Sequence, residues 1–156
     1  MISTQIPGFG VLTLEHLVLD YNGTLAVDGT LLPGVKGALN ALAAELAIHV
    51  VTADTFGRAA GGLEGVDCRL TVLKAGRQDR AKADFVNRLG ADRTASIGNG
   101  RNDALMLAAS ALGIAVILGE GVSTVCLNAA DIVCTDIVSA LELLKHPLRL
   151  TATLRS

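Results

Sequence analysis

Short apolar runs recur along the chain and alternate with stretches that have helical spacing. Runs rich in aliphatic and β-branched residues are typical of buried strands. Six such runs are "LVL" at 17–19, "AIHVV" at 47–51, "RLTVL" at 69–73, "TASIG" at 94–98, "GIAVI" at 113–117 and "DIVC" at 131–134. Strands that alternate with helices predict an α/β fold with three layers, a doubly wound and mostly parallel sheet between two layers of helices.

Three segments between these runs are predicted to be helices. Apolar residues recur at spacings of four, three and four over residues 35–46, which predicts a helix that faces the core. A second helix is predicted from an N-cap at Asp79 to a stop at Gly90, and a third from about Asp136 to Lys145. The segment "AVDGTLL" at 26–32 has an Asp-Gly pair between apolar residues and predicts a small hairpin.

The length of 156 residues predicts a single catalytic domain over 1–156, with the hairpin near 25–32 as a small flap. The N-terminal "MISTQIPGFG" lacks the features of a secretory signal. The longest uncharged run, at 104–118, is shorter than a membrane span, and a buried helix followed by a buried strand explains it better. Three cysteines without C-x-x-C spacing predict core positions in a reduced, cytoplasmic setting.

Composition narrows the range of partners. The net charge of -2 and an aromatic content of 3% argue against nucleic acid binding, which uses a basic surface and stacking side chains. Charged residues make up 18% of the chain, against about 25% in an average soluble domain. This apolar composition favours burial of extra surface between the subunits of a homo-oligomer, and no membrane partner is expected.

Polar residues of the types that take part in catalysis lie where predicted strands end. Asp20 and Thr52 follow the first two strands, Lys82 lies near the start of a helix, and "GNGRND" at 98–103 follows the fourth strand. The carboxyl ends of parallel strands meet at one edge of a doubly wound sheet, where ligands bind. A carboxylate, a hydroxyl, a cation and a glycine-rich loop are the parts that hold a metal and a phosphoryl group. The dinucleotide pattern G-x-G-x-x-G is excluded because Asp103 stands at its last glycine.

Four segments together resemble the motifs of the haloacid dehalogenase (HAD) superfamily, in the same order. They are "LVLDYNGTL", "VVTADTFG", "RAKADFVNRLG" and "IGNGRNDALML". More narrowly, the chain resembles the phosphorylation domain of P-type ATPases, from about residue 14 to 145, without the large nucleotide-binding insertion or membrane helices. The resemblance implies a HAD-like Rossmannoid fold without a large cap domain, and a Mg²⁺-dependent phosphatase acting on a small phosphorylated molecule.

The resemblance also assigns roles to individual residues. Asp20 matches the nucleophile that forms an aspartyl-phosphate, and Asn22 matches the residue whose backbone carbonyl helps to bind Mg²⁺. Lys82, rather than its rival Lys74, matches the lysine that neutralises the nucleophile and the phosphate. The implied catalytic residues are Asp20, Asn22, Thr52 and Lys82; the phosphate-binding residues are Thr52, Ala53, Lys82 and Asn102; and the metal ligands are Asp20, Asn22, Asn99 and Asp103.

Two departures from the family pattern affect the expected activity. Phosphatases of the superfamily usually carry an acid at the position of Asn22, and an amide cannot supply general acid-base catalysis. Asn99 replaces an acid that binds the metal directly in the pumps, so weak Mg²⁺ binding is expected. The predicted phosphatase is therefore slow; the alternative is a non-catalytic or phospho-accepting regulatory module on the same scaffold.

Some residues have simpler explanations. Thr52 and Asp54 are both suited to capping the turn or helix that follows them. His16, His49 and His146 share no regular spacing and are expected to be incidental.

Overall fold

The computed structural model describes residues 1–54 and 57–156. Thr55 and Phe56, which belong to the second motif, lie outside the described residues. The strands within these ranges are β1 (Ile2–Ile6), β2 (Gly10–Leu14), β3 (His16–Leu19), β4 (Ala26–Val27), β5 (Thr30–Leu31), β6 (Ala47–Thr52), β7 (Arg69–Val72), β8 (Thr94–Gly98), β9 (Leu112–Val116) and β10 (Ile132–Cys134). The α-helices are α1 (Val35–Leu42), α2 (Arg58–Gly62), α3 (Gln78–Leu89), α4 (Ala104–Ala109), α5 (Thr124–Ala129), α6 (Ile137–Lys145) and α7 (Pro147–Leu154). Short 3₁₀ helices cover Ala91–Arg93 and Arg101–Asp103.

Six parallel strands form the central sheet, in the order β10-β9-β8-β3-β6-β7. The chain runs outward from β3 through β6 to β7, and then returns to the other side of β3 through β8, β9 and β10. The strand order therefore reverses beside β3, which is where doubly wound sheets bind ligands. Asp20 directly follows β3 at this point.

Apolar side chains fill both sides of the sheet. Leu17 and Leu19 of β3 face a core that includes α1, α6 and the N-terminal strands, whereas Val18 faces a second core with residues of α3, α4 and α5. A parallel strand buried on both faces needs a continuous apolar run. The predicted three-layer α/β fold is thus confirmed, and no large cap is present within the described ranges.

All six predicted strands of the central sheet are present, but two helix boundaries were wrong. The helix predicted over 35–46 ends at Leu42, and Leu46 is buried in the turn that leads to β6. Asp79 lies in the first turn of α3, whose N-cap is Arg77. The helix predicted from about Asp136 to Lys145 is confirmed by α6, whose N-cap is Asp136 with its Oδ1 accepting a hydrogen bond from Ser139 N at 2.7 Å.

The strands β1 and β2 and the helices α2, α5 and α7 were not predicted from the sequence. The N-terminal strands β1 and β2 form an antiparallel hairpin that contacts α7.

The hairpin predicted at 26–32 is confirmed by β4 and β5, whose connection has Asp28 at φ 52° and Gly29 at φ 78°.

The uncharged run at 104–118 forms α4 and β9, as predicted. Gly113 lies inside β9, where a Cβ atom would stand 2.8 Å from the backbone oxygen of Leu107 in α4. Only a glycine allows the helix to pack this closely on the strand. In the described part of the chain, no helix is long and apolar enough to cross a bilayer.

Candidate functional site

A buried lysine joins two carboxylates at the carboxyl edge of the sheet. Lys82 of α3 is fully buried, and its Nζ lies 2.7 Å from Asp20 Oδ1 and 2.6 Å from Asp103 Oδ1. A lysine is almost never fully buried unless it is paired. By contrast, Lys74 is exposed, so the structure brings Lys82 and not Lys74 to Asp20.

The two carboxylates and one ammonium group leave the cluster with one excess negative charge. Burial, and then the charge of Asp103, raise the pKa of Asp20 to about 7, against the opposing effect of Lys82. Burial by itself lowers the pKa of Lys82, but the charges of Asp20 and Asp103 outweigh it and raise that pKa. A buried negative charge that is only partly neutralised favours the binding of a cation.

Asp103 fixes both the lysine and the loop that precedes it. Its Oδ2 accepts hydrogen bonds from the backbone N–H groups of Asn99 at 3.0 Å and Gly100 at 2.8 Å, while its Oδ1 accepts from Lys82. A Cβ at Gly98 would lie 2.6 Å from Asp103 Cβ, which explains the glycine at that position. Three donors therefore already occupy the carboxylate of Asp103, so its first role is to position its neighbours.

Thr24 connects the turn after Asp20 to the loop after β8. Its fully buried hydroxyl lies 3.3 Å from Asp20 Oδ2 and 3.2 Å from Asn99 Oδ1. The sequence analysis did not identify Thr24 as a site residue. The signal was its position four residues after Asp20 within the first motif.

Both polar atoms of the Asn99 side-chain amide have hydrogen-bond partners. Its Oδ1 faces Thr24, and its Nδ2 donates to the backbone oxygen of Gly121 at 3.0 Å. Gly23, at φ +80°, packs against this amide so closely that a Cβ would stand 2.3 Å from Nδ2. A carboxylate at position 99 would place an acceptor opposite the Gly121 oxygen, so the fold of this loop is suited to an amide.

The other predicted site residues have different surroundings. Thr52 is buried at the end of β6, followed by the half-buried Ala53, whereas Asn22 is exposed on the turn after Asp20. Asn102 donates to Gln78 Oε1 at 3.3 Å, at the start of α3. Asp54 accepts a hydrogen bond from Ala59 N at 2.7 Å, which matches its capping interpretation.

The oxygen atoms around Asp20 suit a hard cation. Asp20 Oδ2 and Asn99 Oδ1 both lie within hydrogen-bond distance of the Thr24 hydroxyl. Carboxylate and carbonyl oxygens are the ligands that Mg²⁺ prefers. No cluster of three or more His, Cys, Asp or Glu residues suited to a metal occurs in residues 1–54 and 57–156. Oxygen donors of this kind fit Mg²⁺ better than a softer metal such as zinc.

The histidines, expected to be incidental, include one close pair. His49 is buried, with Nε2 at 3.3 Å from His16 Nδ1 across the adjacent strands β6 and β3, and with the Phe85 ring at its edge. Burial, His16 and Arg69 lower the pKa of His49 to about 4. Spacing along the chain could not show this pair, because it depends on which strands are neighbours.

Acid is expected to destabilise the fold through His49. Its pKa is about 6.5 in an unfolded chain, so the unfolded state binds the proton more tightly and stability falls as the pH drops from about 6.5 towards 4. Between pH 7 and pH 4.5, we expect the free energy of unfolding of H49Q to fall about 2 kcal/mol less than that of wild type. Urea unfolding at both pH values measures this difference. H146Q is the control because His146 is exposed, and identical pH dependence of H49Q and wild type would contradict the prediction.

Comparison with known proteins finds similar sequences and folds. No family model matches the chain. An uncharacterized protein of Methanocaldococcus jannaschii is 48% identical over 60 residues, which are 38% of this chain and 64% of that protein. The chain thus spans less than two thirds of the curated relative that it matches.

Solved structures resemble the whole sheet. A 3-deoxy-D-manno-octulosonate 8-phosphate phosphatase from Moraxella catarrhalis, in complex with magnesium, phosphate and KDO, has a TM-score of 0.69 at 14% identity and covers 90% of this chain and 89% of that one. A zinc-transporting PIB-type ATPase in its E2.Pi state has a TM-score of 0.63 at 26% identity and covers 79% of this chain and 20% of that one. Both kinds of fold relative predicted from the four motifs are therefore found.

Proposed function

We propose that this chain, which has the fold of HAD-superfamily hydrolases, is a Mg²⁺-dependent phosphomonoester hydrolase that acts through an aspartyl-phosphate on Asp20. The observation that carries the proposal is the fully buried Lys82 between Asp20 and Asp103, with Nζ at 2.7 and 2.6 Å from their oxygens. Such a buried cation at the end of a central strand suits a site where a carboxylate must meet a phosphate dianion.

The first step joins Asp20 to the substrate. A carboxylate oxygen of Asp20 attacks phosphorus, the bond from phosphorus to the ester oxygen breaks, and the leaving oxygen takes a proton from water. Lys82 offsets the repulsion between the two anions, and Thr52 with the N–H of Ala53 holds phosphoryl oxygens. Water then attacks phosphorus and releases phosphate from Asp20.

Metal binding is assigned to three oxygen donors. Asp20 and Asn99 supply side-chain oxygens, and Asn22 supplies its backbone carbonyl, while Asp103 holds Lys82 and the loop in place. Bound Mg²⁺ would supply positive charge that stabilises the phosphoryl oxygens. Asp20 is the charged member of this donor set. We therefore propose that Mg²⁺ binds weakly by itself and more tightly when a bound phosphate adds its negative charge.

Asn22 accounts for the slow hydrolysis that we propose. It is exposed on the turn beside Asp20, and its amide neither donates a proton to the leaving group nor activates water. General acid-base catalysis typically contributes about 10²–10⁴-fold. Good leaving groups need this help least, so aryl and acyl phosphates are the preferred test substrates.

N22D is expected to raise turnover at least about tenfold, because it restores a carboxyl group that can exchange protons beside Asp20. Steady-state phosphate release from phenyl phosphate, with Mg²⁺ present, measures the change. N22A separates the gain of the acid from the loss of the amide. Turnover of N22D no higher than that of wild type would show that position 22 does not limit the rate.

N99D is expected to tighten Mg²⁺ binding about tenfold in the absence of phosphate, since it adds a charged oxygen ligand. The same change is expected to lower the stability of the metal-free protein, because the new carboxylate faces the Gly121 oxygen and adds to an already negative cluster. Isothermal titration calorimetry measures the affinity. N87D adds the same charge at an exposed position, and equal affinities of N99D and wild type would remove Asn99 from the metal site.

The phosphatase assay distinguishes the proposal from its alternative. Acetyl phosphate, p-nitrophenyl phosphate and aliphatic phosphate esters are incubated with wild type and D20N, with and without Mg²⁺. Release of phosphate that requires both Asp20 and Mg²⁺ supports a hydrolase. Asp20-dependent gain of one phosphoryl group without turnover favours a phospho-accepting regulatory module, which the amides at positions 22 and 99 also suit. No dependence on Asp20 in either assay overturns both.

The setting and assembly belong to the same proposal. The three cysteines are free thiols in the structure, which suits the reduced, cytoplasmic setting predicted from their spacing. The substrate is proposed to be a small phosphorylated molecule, and a homo-oligomer is proposed because only 18% of the residues are charged, which favours burial of apolar surface between subunits.

A further inference from the structure

An open groove of about 580 Å³ lies beside the buried cluster. Its walls come from the start of α3 and the loop before it, from Arg101 and Asn102, from the start of α4, and from Val125 of α5. Arg77, Arg80 and Arg101 line it together with a single acid, Asp79. The groove is therefore basic, although the chain as a whole carries a net charge of -2.

The free positive charge of the groove belongs to two of these arginines. Arg77 Nη2 lies 3.3 Å from Asp79 Oδ2, and its Nε donates to the other carboxylate oxygen, so this pair is neutral. Within the described part of the chain, neither Arg80 nor Arg101 forms an ion pair. Both are exposed, and their guanidinium groups remain available to an anion.

The groove is separated from the catalytic cluster by one turn of helix. Gln78 lines the groove and stands four residues before Lys82, so the two lie on the same face of α3. Asn102, also in the groove wall, hydrogen-bonds Gln78 at 3.3 Å and directly precedes Asp103. The wall of the groove is therefore one helical turn from Lys82 and one residue from Asp103, which places the groove next to the proposed site.

The remaining lining is apolar and exposed. Leu105 of α4 is 44% exposed and Val125 of α5 is 46% exposed, and both line the groove next to Ala104. An apolar surface edged by guanidinium groups suits a ligand that has a carbon skeleton and an anionic end.

We propose that this groove selects substrates, and that the preferred substrate is a phosphomonoester whose leaving group carries a second anionic group. Arg101 and Arg80 bind that second anion, while Leu105 and Val125 contact the carbon skeleton between the two anionic ends. This inference rests on the proposed phosphatase activity, since it names the substrate class of the same site. It makes Arg80 and Arg101 specificity residues that have no part in the chemical step.

Matched aryl phosphates test the inference. Wild type is assayed with phenyl phosphate, 4-carboxyphenyl phosphate and 1,4-phenylene bisphosphate, and the same substrates are given to the double variant R80Q/R101Q. We expect kcat/KM for the two substrates whose leaving group carries a second anionic group to exceed that for phenyl phosphate about tenfold in wild type. The double variant is expected to lose this preference while keeping its activity on phenyl phosphate, and higher ionic strength is expected to weaken the preference in wild type.

Controls separate the groove from a general charge effect. R149Q removes the same charge from an exposed position on α7, on the other side of the sheet, and is expected to keep the preference. Preference for the carboxylate over the second phosphate, or the reverse, identifies the second anion. A preference that survives in R80Q/R101Q, or that R149Q also abolishes, overturns the inference.

If the proposed phosphatase activity is absent, the assay gives a different result. In that case phenyl phosphate is not hydrolysed in an Asp20-dependent manner, and the groove is then tested by calorimetric binding of 4-carboxyphenyl phosphate and phenyl phosphate. Tighter binding of the carboxylated compound that depends on Arg80 and Arg101 supports the groove without the activity. Equal binding of both compounds to wild type overturns it.

Discussion

Replacing Lys82 by methionine is expected to abolish Asp20-dependent phosphate release and to destabilise the fold by about 3–5 kcal/mol at pH 8. The methionine fills much the same volume but leaves Asp20 and Asp103 buried without the cation that lies 2.7 and 2.6 Å from them. The destabilisation comes from uncompensated negative charge and not from a cavity. Activity is lost because nothing then offsets the repulsion between Asp20 and a phosphate dianion.

The pH dependence of this variant has a definite sign. The pKa of Asp20 is already raised to about 7 with Lys82 present, and loss of the lysine raises it further. An acid whose pKa is higher in the folded than in the unfolded chain stabilises the fold at low pH, and that contribution is lost as the pH rises. The penalty of K82M is therefore expected to be smaller at pH 5 than at pH 8.

Urea unfolding in the presence of a chelator, at both pH values, measures the penalty without contributions from metal. K74M is the matched control, since Lys74 is exposed and is expected to tolerate the change. If K82M unfolds at the same urea concentration as K74M at pH 8, Lys82 does not act as the counter-ion of the cluster.

Replacing Asp20 by asparagine is expected to lower phosphate release at least about 10³-fold, because the amide is not a nucleophile towards phosphorus. Its effect on stability is expected to be opposite to that of K82M. The amide oxygen still accepts a hydrogen bond from Lys82, and the cluster then holds one lysine and one carboxylate, which balance. The free energy of unfolding at pH 8 is therefore expected to be no lower than that of wild type.

Intact-mass spectrometry after incubation with acetyl phosphate and Mg²⁺ gives an independent measurement on D20N. Wild type is expected to gain one phosphoryl group and the variant none. Two inactive variants with opposite effects on stability distinguish loss of chemistry from loss of structure. A phosphorylated D20N would assign the acceptor to another residue, and a D20N less stable than wild type at pH 8 would contradict the charge balance described for the cluster.

The central strands could be predicted almost to the residue because their physical signal is local. A parallel strand covered on both faces is rich in apolar residues, as "LVL" and "GIAVI" are. Helix ends were less certain, since the apolar spacing over 35–46 continues past the point where the backbone leaves the helix at Leu42. The β1–β2 hairpin was missed because polar residues interrupt both of its strands, "ISTQI" and "GVLTL", which therefore lack the aliphatic runs that marked the central strands.

The candidate site was predicted in part, because only some of its residues stand at strand ends or in motifs that a sequence shows locally. Strand ends and the four motifs placed Asp20, Lys82 and Asp103 together, and the structure brings their side chains into contact. Thr24 was missed because its second partner, Asn99, stands 75 positions further along the chain. The His16–His49 pair and the basic groove likewise depend on which elements are neighbours in space, and a single sequence does not show this.

The central position of β3 also affects how the protein folds. This strand pairs with β6 on one side and with β8 on the other, and β8 begins at Thr94, far along the chain from His16. Contacts of such long sequence separation slow folding, because the intervening loop must be closed before they form. During synthesis, Asp20 emerges long before Asn99 and Asp103 do. The nascent chain therefore carries Asp20 for some time without Asn99 and Asp103 beside it, and the candidate site is completed only when the second half of the sheet forms.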